Sequence, residues 1–162
     1  NARMCGCGKT GHLEAYASAT AVIKRTQELL DAGRETSVTR RLAEGASLTP
    51  KLLAEEATAG DPFSLEVIME TARYMGMGVV NLMHTIDPAG VLLGGAMTFG
   101  GNETELGRKF LQRIRDEVKL RAFPVLAERT NIEFASLGGD AGYIGAAGIA
   151  RVEYQKKVRE NP

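Results

Sequence analysis

The stretch from Pro62 to Ile86 restricts the fold more than any other: Leu65, Ile68, Ala72, Met75, Val79, Leu82 and Ile86 recur every three to four residues. That period places them on one side of a helix and predicts a long helix with a single buried face. Asp87-Pro88 ends it, because the residue before a proline avoids helical backbone. Gly76 and Gly78 sit inside the run, and each weakens a helix by about 1 kcal/mol relative to alanine. Glycine at such positions implies close packing, by a neighbouring helix or strand rather than a ligand.

Other elements must be arranged around this helix. Leu13 opens an earlier helix with Leu13, Tyr16, Thr20, Ile23, Gln27 and Leu30 on one side and Gly33 at its end. Residues 34–47 are polar and read as loop or short helix. Thr49-Pro50 is a cap-then-proline start for another helix that closes near Gly60. Downstream, Gly90-Val91-Leu92-Leu93 reads as a short buried strand and Asn131 to Leu137 as a second strand. Between them, Glu103 to Arg121 is amphipathic, with Leu106, Phe110, Ile114 and Val118 inward. Asp140 is expected to cap a final helix rich in small residues. This alternation predicts an α/β domain with parallel strands, and 162 residues suffice for a real core.

Charge and composition remove several functions. Twenty basic and twenty acidic residues leave no net charge, so there is no electrostatic footprint for nucleic acid. Arg40-Arg41 and Lys156-Lys157 read as solvated surface. No apolar run approaches the ~18 residues of a membrane span, and no signal peptide is apparent. Cys5 and Cys7 are one residue apart with no wider cysteine framework, which points to a reducing cytoplasm rather than a disulfide. Asn1 at the start, with Cys5 close behind, reads as a cut or truncated chain. Two histidines and no nucleophile context make a hydrolase a poor reading.

Three stretches could carry chemistry. Cys5, Cys7 and His12 place two thiols and an imidazole within eight residues. Such donors suit Zn²⁺, which takes four ligands in a closed structural site, and two plain thiols in a turn are the competing reading. His84 is the other histidine, and a helix-end residue making local hydrogen bonds describes it better than a fourth ligand. Glu14 is either an acidic residue favoured by a helix N-terminus or an acceptor for substrate hydroxyls. Gly94-Gly95 follows the first strand, where open α/β sheets bind ligands, and Gly138-Gly139-Asp140 repeats the arrangement beside a helix N-terminus. Either glycine pair alone also fits a tight turn, and neither is a phosphate-loop signature.

The run from Cys5 to Ser18 resembles the zinc-loop signature of the ROK family of repressors, open reading frames and kinases. That signature is Cys-x-Cys-Gly-x-x-Gly-Cys-x-Glu before a small-residue helix with serine. Asp87-Pro88, Val91-Leu92-Leu93-Gly94-Gly95, Ala135-Ser136-Leu137-Gly138 and Gly145-Ala146-Ala147 agree in order and spacing, so the resemblance covers nearly the whole chain. It implies that residues 1–162 are the carboxy-terminal domain of an actin-like, ribonuclease-H-like sugar kinase fold, helix-rich with a short parallel sheet. It further implies a structural zinc on Cys5 and Cys7, with His12 where the family has its third cysteine and with the family's other ligand, a histidine, upstream. Glu14 would contact the sugar, and Gly94 and Gly95 would lie against the nucleotide. The expected partners are ATP with Mg²⁺, a hexose (glucose by family frequency) phosphorylated at its 6-position, and a second copy in a homodimer. The family's Asp-x-Gly-Gly-Thr phosphate motif and catalytic aspartate precede the segment matched here. Phosphoryl transfer needs those groups in place, so this chain alone is expected to be inactive. A sugar-responsive repressor behind a DNA-binding domain is the alternative, and a purely structural or assembly module is a third.

Overall fold

The computed structural model describes residues 2–95 and 97–160. Its central element is the long helix expected from the apolar period, spanning Pro62–Ile86. Asp61 caps its start by accepting a hydrogen bond from the Ser64 amide at 2.8 Å, and Asp87 ends it in the left-handed region at φ 47°. Before it come α1 (Glu14–Ala17), α2 (Ala19–Asp31), α3 (Ser37–Ala43) and α4 (Pro50–Thr58), which makes the long helix α5. After it come β1 (Gly90–Leu93), α6 (Glu105–Arg121), α7 (Pro124–Arg129), β2 (Asn131–Phe134) and α8 (Ala141–Glu160). Three-residue 3-10 turns at Gly101–Glu103 and Gly138–Asp140 lead into α6 and α8. Among the described residues no helix is long and apolar enough to cross a membrane.

The buried face of α5 is wider than the expected stripe. Phe63, Val67, Ile68, Ala72, Val79, Val80 and Met83 are buried, whereas Leu82 and Ile86 are 53% and 66% exposed. α5 meets α6 on one side and α1, α2 and α4 on others, so burial follows several neighbours rather than one. Phe63, Ile68, Met83, Phe110 and Ile114 form the centre of the core, each burial contributing about 1.5–3 kcal/mol. The α5–α6 contact explains Gly76. A Cβ there would lie 2.7 Å from Glu117 Cβ and 3.1 Å from the Ile114 carbonyl oxygen, so a side chain would force the helices apart. Glu117 is itself 1% exposed and is paired with Arg113 at 3.0 Å and with Arg121.

Four expectations change in detail. The helix expected from Leu13 is divided at Ser18, whose backbone is extended at ψ 165° and whose side chain accepts from the Ala21 amide. A serine that satisfies a helix-end amide competes with continued helix, and the break rephases the buried face. Val22 and Thr26 are fully buried, while Thr20 and Gln27 are exposed. β1 pairs with β2 in parallel, with Val91 opposite Ile132 and Leu93 opposite Phe134, as the alternation predicts. It is not, however, a buried strand: Val91 and Leu93 adjoin the core, but Leu92 is 72% exposed. Only one face of the pair is covered, so alternate residues face away from it. β2 is also shorter than expected, ending at Phe134. Asp140, expected as a cap, belongs to the 3-10 turn, and its amide donates to the Leu137 carbonyl at 3.0 Å.

Candidate functional site

The chain from Arg3 to Gly11 closes on itself through short backbone hydrogen bonds. Met4 and Thr10 form an antiparallel bridge. The Cys5 amide donates to the Lys9 carbonyl at 2.8 Å, the Gly8 amide to the Cys5 carbonyl at 3.0 Å, and the Gly11 amide to the Arg3 carbonyl at 3.0 Å. Gly8 and Gly11 make the two reversals at φ 84° and 81°, a region that side chains resist. Folded this way, Cys5, Cys7 and His12 bring their donor atoms within 4.8 Å of one another. Cys7 Sγ and His12 Nδ1 are 3.3 Å apart. Metal bonds of ~2.3 Å to sulfur and ~2.0–2.1 Å to nitrogen give a tetrahedral edge of about 3.6 Å, so the donors are close to a metal-binding spacing. Cys5 is buried, and Cys7 and His12 are exposed. These three could hold a metal ion.

His84 serves elsewhere. Its ring lies against Phe123 with centroids 4.5 Å apart, and its Nε2 accepts from the Phe123 amide at 3.3 Å. The hydrogen bond expected of it is there, but it reaches 39 residues along the chain and ties the end of α5 to the start of α7.

The loop is anchored to two helices. The Arg3 guanidinium meets both carboxylate oxygens of Glu28 on α2, and the Arg3 amide donates to the Tyr16 hydroxyl at 2.8 Å. Tyr16 in turn lies against Tyr74 of α5, centroids 4.9 Å apart. Tyr74 is itself flanked by the guanidiniums of Arg25 at 5.4 Å and Arg73 at 4.6 Å. Burial lowers the Arg25 pKa, against the opposing influence of Tyr74 and Glu70, and the hydrogen bond that Arg73 donates to the Glu70 carboxylate raises that of Arg73. Leu13 rests over Gly78. Between loop and helix is a cavity of about 320 Å³ lined by Gly11, Leu13, Tyr16, Tyr74, Met77 and Gly78.

Glu14 is the first residue of α1 and is exposed. Its carboxylate makes no hydrogen bond or ion pair among the described residues. Because α1 has only four residues, few peptide dipoles align behind Glu14, which weakens the helix-dipole account of this carboxylate.

The glycine pairs both follow carboxyl ends of the paired strands. Gly94 and Gly95 follow β1, Gly95 at φ 87°, and a Cβ on Gly94 would lie 3.6 Å from that of Ala135, just beyond β2. Gly138 follows at φ 53°. Both therefore lie at the carboxyl ends of parallel strands, the edge that receives ligands in open α/β sheets. Beyond Gly95 the chain makes a constrained loop: Phe99, Gly100 and Gly101 are successively left-handed at φ 51°, 89° and 59°. Phe99 is held there by its ring against Phe110, centroids 4.9 Å apart, and by Thr104, whose hydroxyl donates to the Phe99 carbonyl at 2.6 Å. Between this loop and α4 lies an apolar groove of about 450 Å³, lined by Ala19, Thr49, Pro50, Ala54, Met97 and Phe99. The sequence reading missed this groove. Thr49-Pro50 is legible as a helix start and Gly100-Gly101 as a turn, but a left-handed phenylalanine leaves no signal. Neither this groove nor the cavity at the metal loop is lined by Glu14, Gly94 or Gly95.

Comparison with known proteins places these features in one context. The ROK family profile matches residues 1–153. A glucokinase of Halalkalibacterium halodurans is 29% identical over 157 residues, covering 97% of this chain and 46% of that protein. A xylose repressor of Caldicellulosiruptor bescii is 28% identical over 142 residues, covering 88% of this chain and 34% of the repressor. Among solved structures, a ROK family glucokinase from Streptomyces griseus in complex with glucose and AMPPNP superposes with a TM-score of 0.70 at 30% identity, covering 91% of this chain and 47% of that one. The chain thus spans about half the length of the glucokinases it matches, in their carboxy-terminal portion. The fold is that of the actin-like sugar kinases.

Proposed function

The chain belongs to the ROK family, and on that premise we propose that it is the carboxy-terminal domain of an ATP-dependent hexose kinase, residues 1–162. The observation that carries this reading is the convergence of Cys5, Cys7 and His12 immediately before Glu14, in a chain that aligns with a glucokinase over 97% of its length. Zn²⁺ would be held by Cys5, Cys7 and His12, since two thiolates and an imidazole are ligands it prefers. Its contribution is structural. The residues do the rest: the Met4–Thr10 bridge and the Tyr16–Tyr74 contact hold the loop, and Glu14 extends from it as an unpaired acceptor for sugar hydroxyls.

The nucleotide reading rests on the sheet edge. Gly94 and Gly95 leave backbone open at the carboxyl end of β1, and the groove between α4 and Phe99 offers an apolar bed of the size and chemistry that suits a purine. ATP with Mg²⁺ is the proposed phosphoryl donor and glucose the proposed hexose. The phosphate motif and general base would come from an amino-terminal half, which would also meet the open face of the sheet and α8. We place the protein in the cytoplasm as a homodimer.

The test is ATP-dependent formation of hexose 6-phosphate by the protein carrying this chain, assayed across common hexoses. Phosphorylation of glucose is expected, with none from residues 1–162 alone. Glu14→Gln should raise the KM for the sugar by about 10–100-fold, the weight of one hydrogen bond to a charged acceptor. Activity from residues 1–162 alone would overturn the division of labour, and an unchanged KM would remove Glu14 from the site. The similarity to a xylose repressor supports a second reading, a sugar-responsive regulator. That reading requires sugar binding without phosphorylation, and sugar-dependent release of operator DNA.

A further inference from the structure

We infer that Gly78 is a positioning residue: it leaves on α5 the notch that seats Leu13, and thereby places His12 and Glu14 on either side of it. The inference rests on Cys5, Cys7 and His12 being metal ligands. Leu13 is the link between the two candidate groups in sequence, and its side chain occupies the space beside Gly78 of α5. A Cβ on Gly78 would overlap Leu13 Cδ2 and lie 3.2 Å from Cδ1 and 3.4 Å from Cγ. No side chain larger than hydrogen fits there while Leu13 keeps its place.

The surrounding geometry converts that contact into a position for the loop. The Leu13 carbonyl accepts from the amides of Tyr16 and Ala17, both at 2.9 Å, and the His12 carbonyl accepts from Ala15 at 2.9 Å. Residues 12–17 therefore move together. Leu13 and Tyr16 are three apart on this turn and meet Gly78 and Tyr74, which are four apart and so lie on one face of α5. Tyr74 is clamped between Arg25 and Arg73, which pins the Tyr16 end. A displacement at Leu13 then tilts the start of α1 about Tyr16 and carries His12 away from Cys5 and Cys7. Restoring an ordinary carbon–carbon contact of about 3.5–4.0 Å requires the outer atoms of the Leu13 side chain to move, and a movement that reaches its backbone carries His12 beyond the ~0.5 Å that a preorganised site tolerates. Gly76, two residues earlier, faces Glu117 on α6, so the two glycines serve different neighbours.

The experiment measures the Zn²⁺ dissociation constant of the 162-residue chain by competition with a chromogenic chelator. Wild type, Gly78→Ala, Leu13→Ala and the double variant are compared, each with its Tm. Gly78→Ala is expected to weaken Zn²⁺ binding by about 10-fold or more, the scale of losses from residues that orient metal ligands. Its Tm should fall by only a few degrees, because the preference for alanine in a helix interior, about 1 kcal/mol, offsets much of an overpacking cost of about 1–3 kcal/mol. Leu13→Ala, which leaves the notch empty, should weaken binding less than Gly78→Ala, and the double variant, which removes the clashing atoms, should recover to the Leu13→Ala level. Two results overturn the inference while leaving the metal reading intact: equal affinity in wild type and Gly78→Ala, as when Leu13 swings into the adjoining cavity, or a loss that the double variant does not recover. A wild-type chain that takes up no Zn²⁺ removes the metal reading itself, and this inference with it.

Discussion

The helices around α5 and the last helix of the chain treat similar residues in opposite ways. Phe63, Ile68, Phe110 and Ile114 are at most 2% exposed, whereas Tyr143, Ile149 and Tyr154 on α8 are 64–70% exposed. Residue type does not separate them; what faces them does. α5 has neighbours on several sides, while residues 141–159 of α8 are exposed throughout. The helical layer therefore holds itself together, and the strand edge with α8 presents apolar surface of the kind that another layer of protein covers. This division fits the proposal that the ligand-facing edge is completed by a second half of the protein.

Four substitutions test the division, in falling order of effect. Phe110→Ala should destabilise the chain by about 3–5 kcal/mol, the usual result of emptying an aromatic site in a close-packed core, read as a shift in urea midpoint. A cost similar to that of a surface change would mean that α5 and α6 do not form the stabilising layer. Gly107→Ala comes next. A Cβ there would overlap the Gly101 carbonyl oxygen and lie 2.7 Å from its amide nitrogen, and backbone yields poorly, so overpacking should cost about 1–3 kcal/mol. Greater stability instead, as helix propensity alone would give, would show that the 99–101 loop is not held in place.

Asp61→Ala should cost about 1 kcal/mol through loss of the cap on α5, and its pH dependence sharpens the point. Burial works to raise the Asp61 pKa, but hydrogen bonds from Ser64, Thr36 and Ser37 outweigh it and hold it below the ordinary value. A depressed folded pKa gives stability that is present above the unfolded value of about 3.9. It is lost as pH falls through the folded value. The gap between wild type and Asp61→Ala should thus be constant near neutral pH and close on acidification; a gap that widens in acid would contradict the cap. Ile149→Ala should move stability by no more than about 0.5 kcal/mol in this chain. A larger loss would show that α8 is buried against something in solution.

Legibility followed the length of the physical signal. α5 was readable to its ends because a long apolar period and a terminal Asp-Pro agree. The Cys5, Cys7 and His12 group was readable because its ligands lie in one short loop, where glycines and local hydrogen bonds bring them together. Ser18 was misread because a cap and a small helical residue look alike until the chain is seen to break. Leu92 was misread because burial of a strand depends on both sheet faces being covered. α7 and the Phe99 groove left no pattern long enough to detect.

By itself the sequence determined the helical scaffold, the parallel strand pair, the donor cluster and the family, since each is encoded in spacing along a few turns or one loop. Tertiary structure alone decided which stripes of α5 are buried, that Gly76 serves α6 and Gly78 serves Leu13, and that the glycine pairs both follow carboxyl ends of paired strands, with a groove between the Phe99 loop and α4. Those outcomes depend on which surfaces of separate elements meet, and such a contact is set by packing, on which local periodicity carries no information.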